Sequence, residues 1–367
     1  MTALNLAKLV ADAVLRKSQS SPVDRVLWVV DEAAEITELI QCLSSLQQSH
    51  KICVTNRCDT AAALSPYSET VLNDFDFTFI ANNTLPTFAY RISKQRSLVQ
   101  HVLLEARRTL HSSGTLLLCG RKKEGIKNYF DLCRKKLGFA GSIQKYGDAY
   151  LCELSKTPAN PGTSPSSAPL KSYTKTAHIQ IDGLDFSTKP GIYGWNKLDQ
   201  GSAFLMQQLE RLRLAPTIKS LLDLGCGYGY LAVRSALLLQ PQRLIATDNN
   251  ITAVDYCQQN LQRHFPGLNY HSTVDDCGQK LGDKWDMIVC NPPFHQGFGN
   301  NFELTQKFLQ AAHRLLAPQG KALFVFNAFV PAEKPAARLF KQVEQLANNQ
   351  HFKVYMLTAP YKLAQKQ

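Results

Sequence analysis

The chain has 367 residues, enough for two domains at roughly 150 residues each. Its 44% apolar and 19% charged content excludes an intrinsically disordered protein. No apolar run reaches the ~18 residues of a membrane span, and no charged-then-apolar leader opens the chain, so the expectation is a cytoplasmic protein with no membrane partner. A net charge of +12 favours a polyanion, nucleic acid first, although basic proteins without such a partner are common. Ten cysteines are scattered without a C-x-x-C pair, which speaks against a metal site or a disulfide framework and fits a reducing compartment.

In chain order, residues 1–22 begin like a helix, with Leu6, Leu9, Val10, Ala13 and Val14 on one face. RVLWVVD (25–31) reads as a buried strand. DFDFTFIANN (74–83) shows strand-like alternation that Leu85-Pro86 ends. A helix spans about 97–110, a strand 115–119, and a partly helical stretch 121–136 carries seven Lys/Arg against two acids. That basic stretch suits RNA phosphates and equally suits a solvated helix face. A short strand, about 149–154, closes this half.

Residues 157–169 then hold four prolines among Ser, Thr, Gly and Ala, with no periodic apolar residue. This divides the chain into 1–156, a linker 157–170, and 171–367; the alternative is a long surface loop within one domain. Beyond it, 177–187 looks like a hairpin around Asp182-Gly183. Strands at 220–224, 243–247, 269–274, 285–290, 321–326 and 352–358 alternate with helices at 230–240, 251–264 and about 302–316, and a last helix precedes the final strand. Such alternation implies an α/β fold with a mostly parallel sheet. The halves echo each other faintly: FDFTFIANN (75–83) resembles WDMIVCNPP (285–293), and SSGTLLLC (112–119) resembles PQGKALFV (318–325). Since generic α/β patterns recur widely, a duplication is one of two readings.

Two stretches carry chemistry. LLDLGCGYG (221–229) is a strand, an acid, then Gly-x-Gly-x-Gly opening a helix. The glycines allow a tight turn and let a ligand lie on bare backbone. Asp223 stands where a carboxylate can meet an ammonium group, and Asp248, ending the next strand, where one can accept two ribose hydroxyls. The loop lacks the two-residue gap of the dinucleotide fingerprint, which demotes an NAD-dependent oxidoreductase. The second stretch is Asn291-Pro292-Pro293-Phe294, ending the strand 285–290. Two prolines cannot continue a sheet, so outward carbonyls, an amide and an aromatic ring remain to grip a planar amino-bearing group. A plain strand-terminating turn is the alternative.

Together these motifs resemble a class I methyltransferase that uses S-adenosyl-L-methionine, in the group marked by N-P-P-[FY]. GIYGWNKLDQGSAFLMQQL (191–209), CNPPFHQG (290–297), FNAFVP (326–331) and HFKVY (351–355) narrow it: the second half is similar to the bacterial small-subunit ribosomal RNA guanine-N2 methyltransferases, the RsmC family. The resemblance implies two tandem Rossmann-like methyltransferase domains, the N-terminal copy degenerate and serving substrate binding and folding. It also implies a monomer acting on 16S rRNA of the small ribosomal subunit. Carried over by position, Asp223, Gly225, Cys226, Gly227 and Gly229 hold the methionine part of the cofactor. Asp248 holds the ribose, and Asp276, or Asp275 beside it, meets the adenine amine unless both are merely turn residues. Asp199 and Gly201 lie beneath the methionine end or simply start a helix. Gly194 departs from the family, whose members carry serine there.

The expected catalytic set is Asn291, Pro292 and Phe294, with Asn291 also beside the cofactor. Asn291 Oδ1 and the Pro292 carbonyl accept the two N2 protons of guanine, Phe294 stacks on the base, and no strong general base is required. His295 is a weak candidate for a base, and Phe298, Asn327 and Phe329 are candidate pocket walls, with core packing favoured for Phe329. The rival readings are a large-subunit (23S) rRNA guanine-N2 enzyme, a methylase of protein glutamine or DNA adenine, and a cofactor-binding, non-catalytic rRNA assembly factor.

Overall fold

The computed structural model describes residues 5–20, 25–46, 49–157, 172–214, 218–293 and 301–361. The chain forms two compact units, Met1–Lys175 and Thr176–Gln367. Most of the proline-rich stretch lies outside the described residues.

The first unit runs α1 (Leu6–Ser20), β1 (Arg25–Val29), α2 (Ile36–Ser45), β2 (His50–Thr55), α3 (Cys58–Leu64), β3 (Glu69–Leu72), β4 (Leu85–Arg91), α4 (Arg96–Thr109), β5 (Leu110–Arg121), α5 (Ile126–Lys136), β6 (Phe139–Tyr146) and β7 (Ala149–Lys156). The sheet order is β3-β2-β1-β4-β5-β7-β6. Helix α1 buries Leu6, Val10, Ala13 and Val14, as its spacing predicts. Helix α5 buries Ile126, Tyr129, Phe130 and Cys133 and turns its basic residues outward, where Lys135 pairs with Asp131 and Arg134 lies over the Phe130 ring.

The second unit opens with the hairpin β8 (Ala177–Ile181) and β9 (Leu184–Thr188). Asp182 and Gly183 at its tip have φ of 53° and 77°, the left-handed pair a tight hairpin requires. There follow α6 (Gln200–Arg211), β10 (Ser220–Leu224), α7 (Tyr230–Leu239), β11 (Arg243–Asp248), α8 (Ile251–His264), β12 (Asn269–Val274), β13 (Trp285–Cys290), α9 (Asn301–Leu315), β14 (Leu316–Asn327), α10 (Glu333–Ala337), β15 (Phe340–Asn348) and β16 (Phe352–Pro360). The order β12-β11-β10-β13-β14-β16-β15 reproduces that of the first unit strand for strand. Both sheets are parallel except for the closing hairpin, and apolar clusters cover each on both faces. The α/β tandem reading therefore holds.

The duplication extends to an irregularity. Leu85 pairs with Leu110 and Thr87 with Thr115; Trp285 pairs with Leu316 and Met287 with Lys321. Each bulge is closed by a glycine without room for a side chain. A Cβ on Gly114 would stand 2.9 Å from the Leu85 carbonyl, and one on Gly320 2.7 Å from the Trp285 carbonyl.

Four expectations are corrected. DFDFTFIANN is not a strand but a series of turns, with Phe75 at φ 52°. Its alternation arises because Phe75, Phe77 and Ile80 anchor the loop in the core, while Arg108 caps the carbonyls of Phe77 and Ile80 at 2.7 and 2.8 Å. Leu85-Pro86 begins strand β4 rather than ending one, and Pro86 is tolerated because it sits at the bulge. The partner of Trp285–Cys290 is therefore β4, and only the SSGTLLLC match was in register. The expected last helix shrinks to the five residues of α10, and the rest is edge strand β15 against β16.

Alanine at Gly114 or Gly320 should lower the thermal unfolding midpoint, each by a destabilisation of about 1–3 kcal/mol, because its methyl overlaps backbone that cannot rotate away. Calorimetric melts identical to wild type would contradict this account of the bulge.

Candidate active site

Strand β10 lies between β11 and β13, all parallel, so their carboxyl ends share one edge. The loop after β10 turns back at once: the amides of Gly225 and Cys226 both donate to the Thr247 carbonyl, at 2.8 and 2.9 Å, and that of Gly229 donates to the Cys226 carbonyl at 2.8 Å. Gly227 has φ 54° and a Cβ there would meet nothing within 4 Å, so bare backbone faces open space. Gly229 serves packing instead, since a Cβ would stand 2.8 Å from Cys257 Sγ.

Asp248 ties the loop to the end of β11. Its Oδ2 accepts from the Gly227 amide at 2.9 Å and its Oδ1 from the Asn250 amide at 3.0 Å. Asp223 lies fully buried behind the loop, and neither carboxylate oxygen has a hydrogen-bond partner of ordinary length and angle. Burial pushes its pKa up to about 8, against a weaker pull from the Ala232 amide. An uncompensated acid beneath an open glycine backbone favours a cation there. An ammonium-bearing cofactor whose ribose meets Asp248 suits these residues.

Past β12 the two adjacent acids diverge. Asp276 forms an ion pair with Lys307 of α9. Asp275 is buried, accepts from the Lys280 amide at 3.0 Å through Oδ2 and leaves Oδ1 without a partner.

At the end of β13, Asn291 Nδ2 donates to Asp199 Oδ2 at 2.7 Å and to Ser202 Oγ at 2.9 Å. Asp199 caps helix α6, accepting from the Ser202 amide at 2.8 Å, and its Oδ1 accepts from the Tyr193 hydroxyl at 3.2 Å. A carboxylate only accepts, which settles the amide's orientation: nitrogen toward Asp199, Oδ1 left over. Asn291, Pro292 and Pro293 line a cavity with Tyr193, Thr305, Phe326, Asn327 and Val330.

Asn327 thus stands where the sequence suggested. Phe329 does not pack in the core; it is 70% exposed and is not among the cavity-lining residues. Phe294, His295 and Phe298 lie outside the described residues. Gly194 adopts φ 68° in the turn before α6, a left-handed position that favours glycine. Sequence reasoning missed Tyr193, Ser202, Thr305, Phe326 and Val330. Only the Asp-x-x-Ser spacing of Asp199 and Ser202 carried a readable signal, that of a helix start.

Residues 183–356 match the family model described as Methyltransferase small domain. The ribosomal RNA small subunit methyltransferase C of Salmonella choleraesuis is 26% identical over 355 residues, covering 94% of this chain and 95% of that protein. The ribosomal RNA large subunit methyltransferase G of Vibrio campbellii is 31% identical over 194 residues, covering 52% of this chain and 50% of that protein. A solved T. thermophilus 16S rRNA N2 methyltransferase (RsmC), in complex with AdoMet and guanosine, shares the two-unit fold at TM-score 0.79 and 22% identity, covering 97% of this chain and 92% of that one.

Asp223 makes stability depend on pH. An acid whose folded pKa is raised to about 8 from 3.8 binds protons more tightly folded than unfolded, so its burial costs nothing below pH 3.8 and an increasing amount up to about pH 8. Asp223→Asn should remove this component. The variant's melting midpoint relative to wild type should rise between pH 5 and pH 8, and a constant difference would contradict the assignment.

Proposed function

We propose that this chain, which belongs to the RsmC-type class I methyltransferases, transfers the methyl group of S-adenosyl-L-methionine to the exocyclic N2 of a guanine in 16S rRNA. The observation that carries this reading is the committed amide of Asn291. With Nδ2 spent on Asp199 and Ser202, the atom it can offer a substrate is Oδ1, an acceptor suited to an amine's N–H. The Pro292 carbonyl is the second acceptor, in a backbone that two prolines keep stiff.

S-adenosyl-L-methionine, when bound, supplies an electrophilic methyl group on a sulfonium. Gly225, Cys226 and Gly227, with Asp223 behind them, would hold its methionine part, Gly229 serving the packing of the loop; Asp248 would hold the ribose and Asp276 the adenine amine. What remains for the chain's own residues is alignment. Guanine N2 is a poor nucleophile because its lone pair is delocalised into the ring. Accepting both N2 protons at fixed points favours a tetrahedral nitrogen and aims its lone pair. Phe294 stacks on the base, worth roughly 1–3 kcal/mol, and the base leaves its helix or loop to reach it. The methylated amine is acidic enough to lose its proton to water, so no general base is assigned.

Coverage favours the small subunit. The similarity to the small-subunit protein runs over both units, whereas that to the large-subunit protein is confined to about half of each chain. The intact glycine loop and Asn-Pro-Pro corner favour an enzyme over an assembly factor that merely keeps the fold. The reading places a monomer in the cytoplasm, in keeping with ten cysteines that no disulfide joins among the described residues.

Mass spectrometry of nucleosides from each ribosomal subunit, with and without this chain, should show N2-methylguanine lost from 16S rRNA alone. Asn291→Ala should reduce turnover about 100-fold while calorimetry shows little change in S-adenosyl-L-methionine affinity. Unchanged turnover would refute the role of Asn291, and loss of the mark from 23S rRNA would transfer the reading to the large subunit.

A further inference from the structure

An asparagine amide presents a donor or an acceptor depending on which way it is turned, and the two differ by a rotation about one bond. For the role proposed above the difference decides the reaction: Nδ2 turned toward an amine sets donor against donor, whereas Oδ1 accepts. We infer that Asp199 is the positioning residue that makes this choice, and that its part in turnover is to hold Asn291 with Oδ1 toward the substrate. The inference rests on the guanine-N2 reading.

Four contacts converge on this point. Asp199 Oδ2 accepts from Asn291 Nδ2 at 2.7 Å and from the Ser202 amide at 2.8 Å, while Oδ1 accepts from the Tyr193 hydroxyl at 3.2 Å. Ser202 Oγ takes a second bond from Asn291 Nδ2 at 2.9 Å, so both amide protons are held. The Ser202 hydroxyl can serve either orientation, but turning the amide over would break the bond to Asp199 and place Oδ1 against a carboxylate. Gly201 leaves the space for this arrangement: a Cβ there would stand 3.1 Å from Asp199 Oδ2 and 3.1 Å from the Phe352 ring. Tyr193, 64% exposed, lines the same cavity as Asn291, so the hydrogen-bonded chain Tyr193–Asp199–Asn291 begins and ends at its wall.

Capping helix α6 is a separate duty of Asp199, and the two come apart by substitution. Serine caps a helix about as well as aspartate but is too short to reach Asn291; asparagine caps and can still accept from Asn291 through its oxygen, without the charge. The test uses the full chain, labelled S-adenosyl-L-methionine, and small subunits and protein-free rRNA from cells lacking this chain. Asp199→Ser should lower kcat about 10- to 100-fold with cofactor affinity and melting midpoint near wild type, and Asp199→Asn should recover turnover to within about threefold. Gly201→Ala, which crowds Oδ2 while keeping carboxylate and cap, should also lower kcat without weakening cofactor binding.

Wild-type turnover in Asp199→Ser overturns the inference. So does an Asp199→Asn variant that loses cofactor affinity along with turnover, since Asp199 would then act through its charge on the cofactor. If Asp199→Ser melts early, Gly201→Ala decides: intact turnover there overturns the inference, and lost kcat at intact cofactor affinity supports it. A wild-type chain that methylates neither acceptor overturns the guanine-N2 reading, and this inference with it.

Discussion

The site depends on the register of two adjacent parallel strands. Asp223 of β10 pairs with Val289 of β13, which brings Gly225 and Asn291, two residues further along each strand, to the same edge of the sheet. A slip of one residue would turn Asp223 and Val289 to opposite faces and offset the glycine loop from the Asn-Pro-Pro corner. The register is held where it cannot drift. Asp286 at the start of β13 accepts from the Lys219 and Ser220 amides at 3.0 Å each and from Ser220 Oγ at 2.9 Å. Cys290 Sγ at the other end donates to the Leu224 carbonyl at 2.9 Å. Hydrogen bonds at both ends of a short buried strand leave the loops beyond it a fixed platform.

The first unit shows what the same platform becomes without that chemistry. Its strand pairings place Trp28 where the second unit has Asp223, Thr55 where it has Asp248, and Arg91 where it has Asn291. No carboxylate stands at the two strand positions equivalent to Asp223 and Asp248. Arg91 turns to Glu124 at 2.9 Å in an ion pair that is almost wholly buried, so the substrate corner is occupied by the unit's own side chains. Asp31, in the turn after β1, is buried too, but the Tyr90 hydroxyl satisfies it at 2.6 Å, unlike the partnerless Asp223. Trp28 Nε1 and Arg91 Nε stay without hydrogen-bond partners, but a buried carboxylate with both oxygens open, as in Asp223, has no counterpart at these positions. The fold has been kept and the vacancy closed.

How much of this the sequence discloses follows from the range of each interaction. Strands β10 and β13 were legible because each is a short apolar run, and β10, β12 and β13 occupy the residues expected of them. The glycine loop and the Asn-Pro-Pro corner are local motifs and were equally plain. Position 74–83 misled because burial alternates in an anchored loop as it does in a strand, and the arginine that satisfies its carbonyls lies about one helix further along the chain. Strand β15 misled because a nearly solvent-exposed edge strand has no apolar period of its own; its partner β16 decides its conformation. Asn291 and Asp199 are 92 residues apart, and no spacing rule connects a strand end to a helix cap at that distance. The candidate residues were therefore readable, and the contact between Asn291 and Asp199 was not.

A protein that gathers a cationic methyl donor and a polyanionic acceptor faces opposite electrostatic demands, and this chain separates them by distance. Its net charge of +12 sets a long-range field that favours a polyanion. Around the glycine loop acids predominate: Asp248 is tied into the loop itself, Asp275 lies buried with an unpartnered oxygen, and Asp223, kept protonated near neutral pH by burial, ionises when a cation lies beside it. The two are compatible because the acids are few and gathered at one site, while polyanion attraction is summed over many exposed cations. The same argument explains why an amide, and not a carboxylate, should stand at position 291. A charge there would carry the acidic patch to the point where a base flanked by phosphates must arrive, whereas a neutral acceptor grips the amine without repelling the chain that bears it. Asp199 is compatible with that point because three donors already neutralise its oxygens: the Ser202 amide, the Asn291 amide and the Tyr193 hydroxyl.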